Sequence, residues 1–493
     1  MFDINPGMMS GGSANVGELV QMNDLLRKAG AGYQTPAGTA GGDSGNYAPL
    51  IPQSIEQMVA LADFTMDDIV VWKDFVKVFV GNTLHEWATV EEHGDNLDPW
   101  ISEGGGGVES VSSYARDFIR IKYLAEKRVV TDVATQVGLL GGYVNRNALN
   151  EATNRGTMSL FKKLEFNLFH GRENLTPLAF DGLWEIIRTK APTNHTDLDG
   201  KAAQIKVVQD AIGRLISSPL FGNPDCLYCT PTQYSEMMKQ IEDKGRFPMV
   251  AATSSEITYG MQQLRIAVPG RTGYVTIKSA PFLAFNEITG AFPLNAVGGT
   301  ASVAVPVTPL VGDANYAAIA VAPNAASNFV AADAATYTYQ IVPMGDAGQG
   351  ASAAYALSIA VGAGDQVTFT IGDPPGTVAG QNRYYKIYRN MGTGAAGPFY
   401  LIDQVAIGAA PGGTAIVDNN LSKPNTSKMI LTRQGDPDYM LFVRLLDLIR
   451  RPVSDQGTTT RPFLIMLFGS PIVKLPRKCW TFDNCGVNLA VGI

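Results

Sequence analysis

The sequence predicts an α+β protein with an all-β module inserted late in the chain, on three observations. The stretch Asn145 to Gly171 carries apolar or small residues at Leu149, Ala152, Gly156, Leu160, Leu164 and Leu168, steps of three and four that place one stripe on one helical face. Ahead of it, strand-forming runs flank a polar tip that holds the consecutive glycines Gly104 to Gly107. Behind it, from about Ala296 to Pro424, charges thin out and short β-like runs recur between turn-rich spacers.

At 493 residues and 45% hydrophobic content the chain has the length for roughly two to four domains. A net charge of −7 excludes general nucleic-acid affinity through a uniformly basic surface and leaves only local basic faces to meet phosphates. The start, MFDINPGMMSGGSANVG, lacks the basic and apolar regions of a signal peptide, so folding in the cytoplasm is expected. The uncharged run from Glu287 to Asp313 is broken by Pro293, Pro306 and Pro309, and no membrane helix is expected there. Cys226-Leu-Tyr-Cys229 has the gap of half a zinc ribbon, but Cys479 and Cys485 are too widely spaced to complete it. Buried reduced thiols are the expectation.

In chain order, residues 1–50 are rich in Gly, Ala, Ser and Asn and read as an arm that gains order by lying on another surface. Pro52 to Ala62, with Ser54 as N-cap, predicts a short helix. Val70 to Val80 and Leu84 to Val90 alternate as strands and Tyr114 to Val130 returns, so both legs of a long hairpin are expected within 51–135, with its tip from Glu91 to Ser113. The long helix lies in 136–201. Gly171 stands where a left-handed C-cap is wanted, and Lys162, Lys163 and His170 suit the negative end of the dipole. His195 to Asp199 reads as a polar connection. An α/β region over 202–295 holds helices at Ala202 to Ile216 and Thr232 to Ile241 and strands at Cys226 to Thr230, Ile257 to Val268 and Gly273 to Lys278. Within 296–424, strands are expected at Thr336 to Val342, Ala354 to Val361, Gln366 to Ile371, Tyr384 to Tyr388, Phe399 to Val405 and Thr414 to Val417. Residues 425–493 return to mixed composition, with strands expected at Leu441 to Ile449, Phe463 to Phe468 and Pro471 to Pro476. The β module is therefore an insertion.

Catalytic patterns are scarce. His85 and His93 flank an acidic run, but a helical zinc pair needs one-turn spacing, and on a strand the two would stand about 26 Å apart. Neither a nucleophile elbow nor a phosphate-binding loop occurs, and Gly104 to Gly107 lacks the Lys that would follow in one. The expectation is a non-enzyme without cofactor or metal. Arg444, Arg450 and Arg451 with Lys474, Arg477 and Lys478, and likewise Lys162 and Lys163 on the long helix, form either a positive strip or solvated faces and intersubunit ion pairs.

The order of arm, short helix, hairpin with glycine-rich tip, long helix, α/β region and terminal return resembles the major capsid proteins of tailed bacteriophages, the Hong Kong ninety-seven fold. The runs Tyr337-Thr-Tyr-Gln-Ile-Val and Tyr384-Tyr-Lys-Ile-Tyr-Arg resemble immunoglobulin-like modules. The resemblance implies an N-arm, an E-loop, a P-domain with its spine helix, an A-domain over 202–295, an inserted immunoglobulin-like sandwich over 296–424, and return strands of the core over 425–493. It also implies a homo-oligomeric shell of hexamers and pentamers, assembled in the host cytoplasm and enclosing double-stranded DNA in a virion. Further partners it implies are separate scaffolding, portal and decoration proteins, with non-specific DNA contact on the inner face and no membrane. Removal of an N-terminal segment is not expected. The tip from Glu91 to Ser113 contains no Lys, so clamping between subunits is expected to be non-covalent. Glu91, Glu92, Trp100, Glu103 and Arg116 are the residues expected at intersubunit contacts. The alternatives are an encapsulin-like compartment shell and a virion surface-binding protein acting through the sandwich.

Overall fold

The computed structural model describes residues 64–94, 100–106, 111–136, 148–242, 264–284, 306–307, 317–345, 348–350, 353–372, 382–392, 398–407, 413–453 and 459–486. The arm and the helix expected at Pro52 to Ala62 lie outside them.

Val70 to Val80 is not one strand. Val71–Asp74 forms a helical turn (α1), and only Val76–Phe79 is extended (β1). The turn is imposed from elsewhere: the amides of Val70, Val71 and Trp72 donate to the buried Glu165 carboxylate at 2.9, 2.7 and 3.0 Å. Leu84–Glu92 (β2) and Ser113–Arg120 (β3) pair antiparallel, Leu84 opposite Arg120 and Val90 opposite Tyr114, and they alone are the legs of the hairpin. Lys122–Thr131 (β4), expected to extend the second leg, leaves the hairpin for another sheet. The break falls at Ile121, whose amide donates to the Thr83 carbonyl at 2.8 Å, while the buried Ser470 hydroxyl donates to the Arg120 carbonyl and accepts from the Lys122 amide. The more buried positions run Ala115, Asp117, Ile119, Ile121 and then Lys122, Leu124, Glu126. That one-residue shift in a period of two turns the strand over.

After Asp132–Gln136 (α2), the long helix Ala148–His170 (α3) follows the predicted stripe: Gly156, Leu160, Leu164 and Leu168 are buried. A β-carbon on Gly156 would stand 2.6 Å from Ile465 Cδ1, so the helix approaches its sheet too closely for a side chain there. Gly171 does not take the left-handed conformation expected of it. Its β-carbon would lie 2.4 Å from the Phe180 carbonyl oxygen; the returning chain, not a cap, requires glycine. A helix not anticipated, Leu183–Lys190 (α4), buries Leu183 and Ile187 one turn apart.

His195–Asp197 (β5), read as a connection, pairs parallel to a strand near the C-terminus, His195 opposite Thr481. Ile205–Ile216 (α5) buries Val208, Ala211, Ile212 and Leu215, the face its spacing predicts. Cys226–Cys229 (β6), Pro231–Glu242 (α6), Arg265–Ala267 (β7) and Tyr274–Ser279 (β8) follow. Of the strand expected over Ile257 to Val268, residues 257–263 lie outside the described residues, and only the β7 portion of the rest is extended.

The β-rich stretch contains Ala317–Pro323 (β9), Ala335–Gly345 (β10), Gly348–Gln349 (β11), Ala353–Val361 (β12), Asp365–Ile371 (β13), Tyr384–Arg389 (β14), Tyr400–Ala406 (β15) and Thr414–Asp418 (β16). β10 pairs with β11, β12 and β14, and β14 with β15; β13 pairs with β16 and β9 in a second sheet. Tyr339, Ile341, Val367, Phe369, Tyr385 and Ile387 share one buried cluster drawn from both sheets. β9, not anticipated, is alanine-rich and carries little β signal of its own.

Thr426–Thr432 (β17), Met440–Pro452 (β18), Thr460–Val473 (β19) and Trp480–Gly486 (β20) complete the described chain. A four-stranded sheet has the order β1-β18-β19-β4, and a six-stranded sheet the order β5-β20-β17-β6-β8-β7. The runs expected as separate strands at Phe463 to Phe468 and Pro471 to Pro476 are one strand through Val473. Pro471 lies beyond Gly469, the last residue paired to β4, so its missing N–H faces an unpaired edge.

Candidate intersubunit surface

The hairpin forms a sheet of its own, and alternation divides it into two faces. His85, Trp87, Thr89, Asp117 and Ile119 are half-buried on the inner face; Leu84, Val90, Tyr114, Arg116 and Phe118 are exposed on the outer one. Val90 is 45%, Tyr114 72% and Phe118 59% exposed, and at the tip Trp100 reaches 86%. Ile101 and Val111, also within the Glu91 to Ser113 stretch, are exposed too. A two-stranded ribbon is marginal on its own, and this one leaves large apolar side chains exposed on its outer face and at its tip.

The structure brings Glu91, Glu92 and Arg116 onto the ribbon and places Trp100 and Glu103 in the exposed tip. Within the chain, Arg116 pairs with Glu86 across the strands, and the Glu91 carboxylate lies 3.8 Å from Arg477. The apolar members Val90, Ile101, Val111, Tyr114 and Phe118 were missed by sequence reasoning. The signal was present, since Tyr114 and Phe118 share strand parity with Arg116.

A second uncovered face belongs to the four-stranded sheet. Phe463, Ile465 and Leu467 cluster with the α3 stripe, so residues of opposite parity turn away from the helix. There Tyr123 is 59% and Val129 53% exposed, and the Tyr123 ring meets Phe468 edge-on at 4.8 Å. Lys127 lies opposite Leu464, and Leu464 opposite Arg451, so cations interrupt the apolar rows.

Several of the basic groups have partners within the chain. Lys163 pairs with Glu126 at 2.5 Å, Arg444 with Asp447 at 2.8 Å and Lys474 with Asp438 at 3.9 Å; Arg450 stands over the Phe463 ring.

A cleft of about 360 Å³ runs between the six-stranded sheet and the β-rich stretch, lined by Trp184, His195, Asp403, Asn419, Lys428 and Asp483 among others. The Lys428 ammonium sits 3.6 Å above the Trp184 ring, whose Nε1–H donates to Asp483 at 2.7 Å. Burial, reinforced by Arg172, lowers the Lys428 pKa from 10.5 to about 8. Between those values the unfolded chain binds more protons, so the stability of the native chain relative to Lys428→Met should rise with pH from 8 to 10.5, by up to about 3 kcal/mol. Urea unfolding of both proteins across that range measures it, and a constant difference would refute it. Burial also holds His170 neutral, its pKa well below 6.5, and pushes the Cys226 and Cys479 thiols up to about 12 and 11. These cysteines are buried free thiols and are not poised as nucleophiles. Among the described residues no group of His, Cys, Asp or Glu could hold a metal ion, and no helix is long and apolar enough to cross a membrane.

No protein-family model and no curated protein matches the sequence. Among solved structures, the chain is similar to one of the holo-SrpI encapsulin complex from Synechococcus elongatus PCC 7942, with TM-score 0.45 and 10% identity over 92% of this chain and 99% of that one. It is also similar to a chain of the capsid of a native GTA particle, with TM-score 0.43 and 9% identity over 91% and 99%. For a chain of Mycobacterium phage Bobi the values are 0.40 and 9% over 90% and 99%.

Proposed function

We propose that the protein is a structural subunit of a closed shell, the head shell of a tailed phage enclosing double-stranded DNA. The observation that carries this reading is the hairpin: a ribbon in its own sheet whose outer face and tip expose Val90, Trp100, Tyr114 and Phe118. Such a surface is completed by a neighbour, and repetition of the contact by symmetry builds a closed assembly from weak individual interfaces. In this reading the ribbon is the E-loop, α3 the spine helix, the six-stranded sheet the core of the A-domain, and β9 to β16 an immunoglobulin-like insertion. Glu91, Glu92, Trp100, Glu103 and Arg116 stand at the clamp, in hexamers and pentamers assembled in the host cytoplasm. Scaffolding, portal and decoration proteins would be separate chains.

Negative-stain imaging of the purified protein, alone and with a scaffold supplied, tests the assignment. Closed particles or capsomers are expected, and monomers under every condition overturn it. Nuclease-resistant DNA inside particles formed during phage growth separates a virion from an encapsulin-like compartment, which would enclose protein cargo. Deleting residues 317–418 should leave particle formation intact, whereas a surface-binding protein would lose its activity. Phe166 packs against Val342, Tyr388 and Leu401, so the deletion should carry Phe166→Ser to avoid a bare apolar side chain.

A further inference from the structure

The inner face of the hairpin is fastened to the chain's own body, and the fastenings weaken from root to tip. At the root, Trp87 and Ile119 pack against the buried cluster of Ile121, Leu441, Val443 and Ile472. At the level of Trp87, which lies opposite Asp117, the Lys190 ammonium at the end of α4 pairs with Asp117 and stands 5.6 Å from the Trp87 ring centroid; the two charged side chains are 38% and 39% exposed. Nearest the tip, Arg477 reaches Glu91 at 3.8 Å, and its side chain is 63% exposed. The root is therefore held by apolar contact together with the Lys190 pair, and the outer half by the exposed Arg477–Glu91 pair; ion pairs of this kind contribute little and are screened by salt.

We infer that the hairpin is a strap latched onto its own subunit by Lys190 and Arg477, hinged at Ile121 and poised to peel away from the tip. The hinge has the geometry for this. Ile121 and Ser470 tie the strand ends to the sheet, while among the described residues the ribbon has no hydrogen-bonded strand neighbour, so no described ladder breaks when it moves. Peeling keeps the β2–β3 pairing intact; it breaks the Glu91–Arg477 pair first and then, at the level where Asp117 lies opposite Trp87, the Asp117–Lys190 pair together with the Lys190 contact on the Trp87 ring. That the released strap then engages a second copy of the chain rests on the shell reading; the latch does not.

Spin labels on the full-length, unassembled chain at Ala88→Cys, on the hairpin's outer face, and Arg214→Cys, on α5, report the strap position. The native Cys226, Cys229, Cys479 and Cys485 are buried and should not label. At low salt one narrow distance is expected. In Lys190→Met/Arg477→Met, and in the parent at high salt, a longer-distance population should rise about three- to tenfold, the factor two exposed ion pairs supply. The charge exchange Lys190→Glu with Asp117→Lys should restore the narrow distribution. Distances that change with neither salt nor the double substitution overturn the latch, as does a broad distribution already present at low salt. The salt arm uses parental latch residues, so the test survives a variant that fails to fold. If the latch behaves as expected yet no condition yields particles, the shell reading fails and the latch stands.

Discussion

Arg389→Met is expected to destabilise the β-rich stretch by about 3–5 kcal/mol, the cost of leaving one partner of a buried ion pair without the other. Arg389 is 1% exposed. Its guanidinium donates to Asp418 at 2.5 Å and to Asn420 at 2.6 Å, and lies 4.9 Å and 5.2 Å from the Tyr337 and Phe329 ring centroids. Burial disfavours the charge, yet Asp418 and the neighbouring tyrosines hold the arginine pKa above its ordinary value. Asp418 in turn accepts from the Tyr339 hydroxyl at 2.7 Å and the Asn420 amide at 2.8 Å, so its desolvation is offset on several sides. The network continues outward: Asn420 donates to Asp333, and Lys423 pairs with both Asp333 and Asp199, which precedes α5. Removing Arg389 therefore loosens the joint to the six-stranded sheet as well as the core of the stretch. Urea unfolding should show the loss, and Arg389→Met/Asp418→Asn should recover a large part of it, because the double substitution leaves no unpaired buried charge. A single-substitution cost below about 1 kcal/mol would contradict this account.

Glu165→Ala should cost a similar amount, about 3–5 kcal/mol, through a different mechanism: it leaves the amides of Val70, Val71 and Trp72 without their acceptor. The carboxylate reaches out from the C-terminal third of α3, 1% exposed, and serves as the N-terminal cap that α1 cannot supply, since Val70 has no side-chain oxygen. Burial raises its pKa, and the same amides oppose that rise. Glu165→Gln keeps one acceptor oxygen and turns an NH₂ group toward donors, so about half the loss is expected. Urea unfolding ranks the variants in the order parent, Gln, Ala; an alanine variant as stable as the parent would refute the capping role.

Legibility in the sequence followed locality. The α3 stripe, the α5 face and six strands of the β-rich stretch could be read because periodicity and turn residues act within a few positions of one another. Glu165 was invisible for the opposite reason, since its partners lie 93 to 95 residues earlier. In the candidate site, the polar residues Glu91, Glu92, Glu103 and Arg116 stood out as a charged tip. Their internal partners, Arg477 for Glu91 and Glu86 for Arg116, emerged only from register and tertiary approach.

The sequence by itself determined the long helix, the α5 and α6 helices, the ribbon with its glycine-rich tip and the β character of 317–418. These depend on backbone preference and on which face of a segment is apolar. Tertiary structure alone decided where the ribbon ends and the sheet begins, because Ile121, Thr83 and Ser470 meet only once the chain is folded. It also decided that β20 and β17 lie between β5 and β6, and that Gly171 serves a close approach instead of a cap. Long-range pairing and steric fit involve residues far apart in the chain, and a window of neighbours carries no record of them.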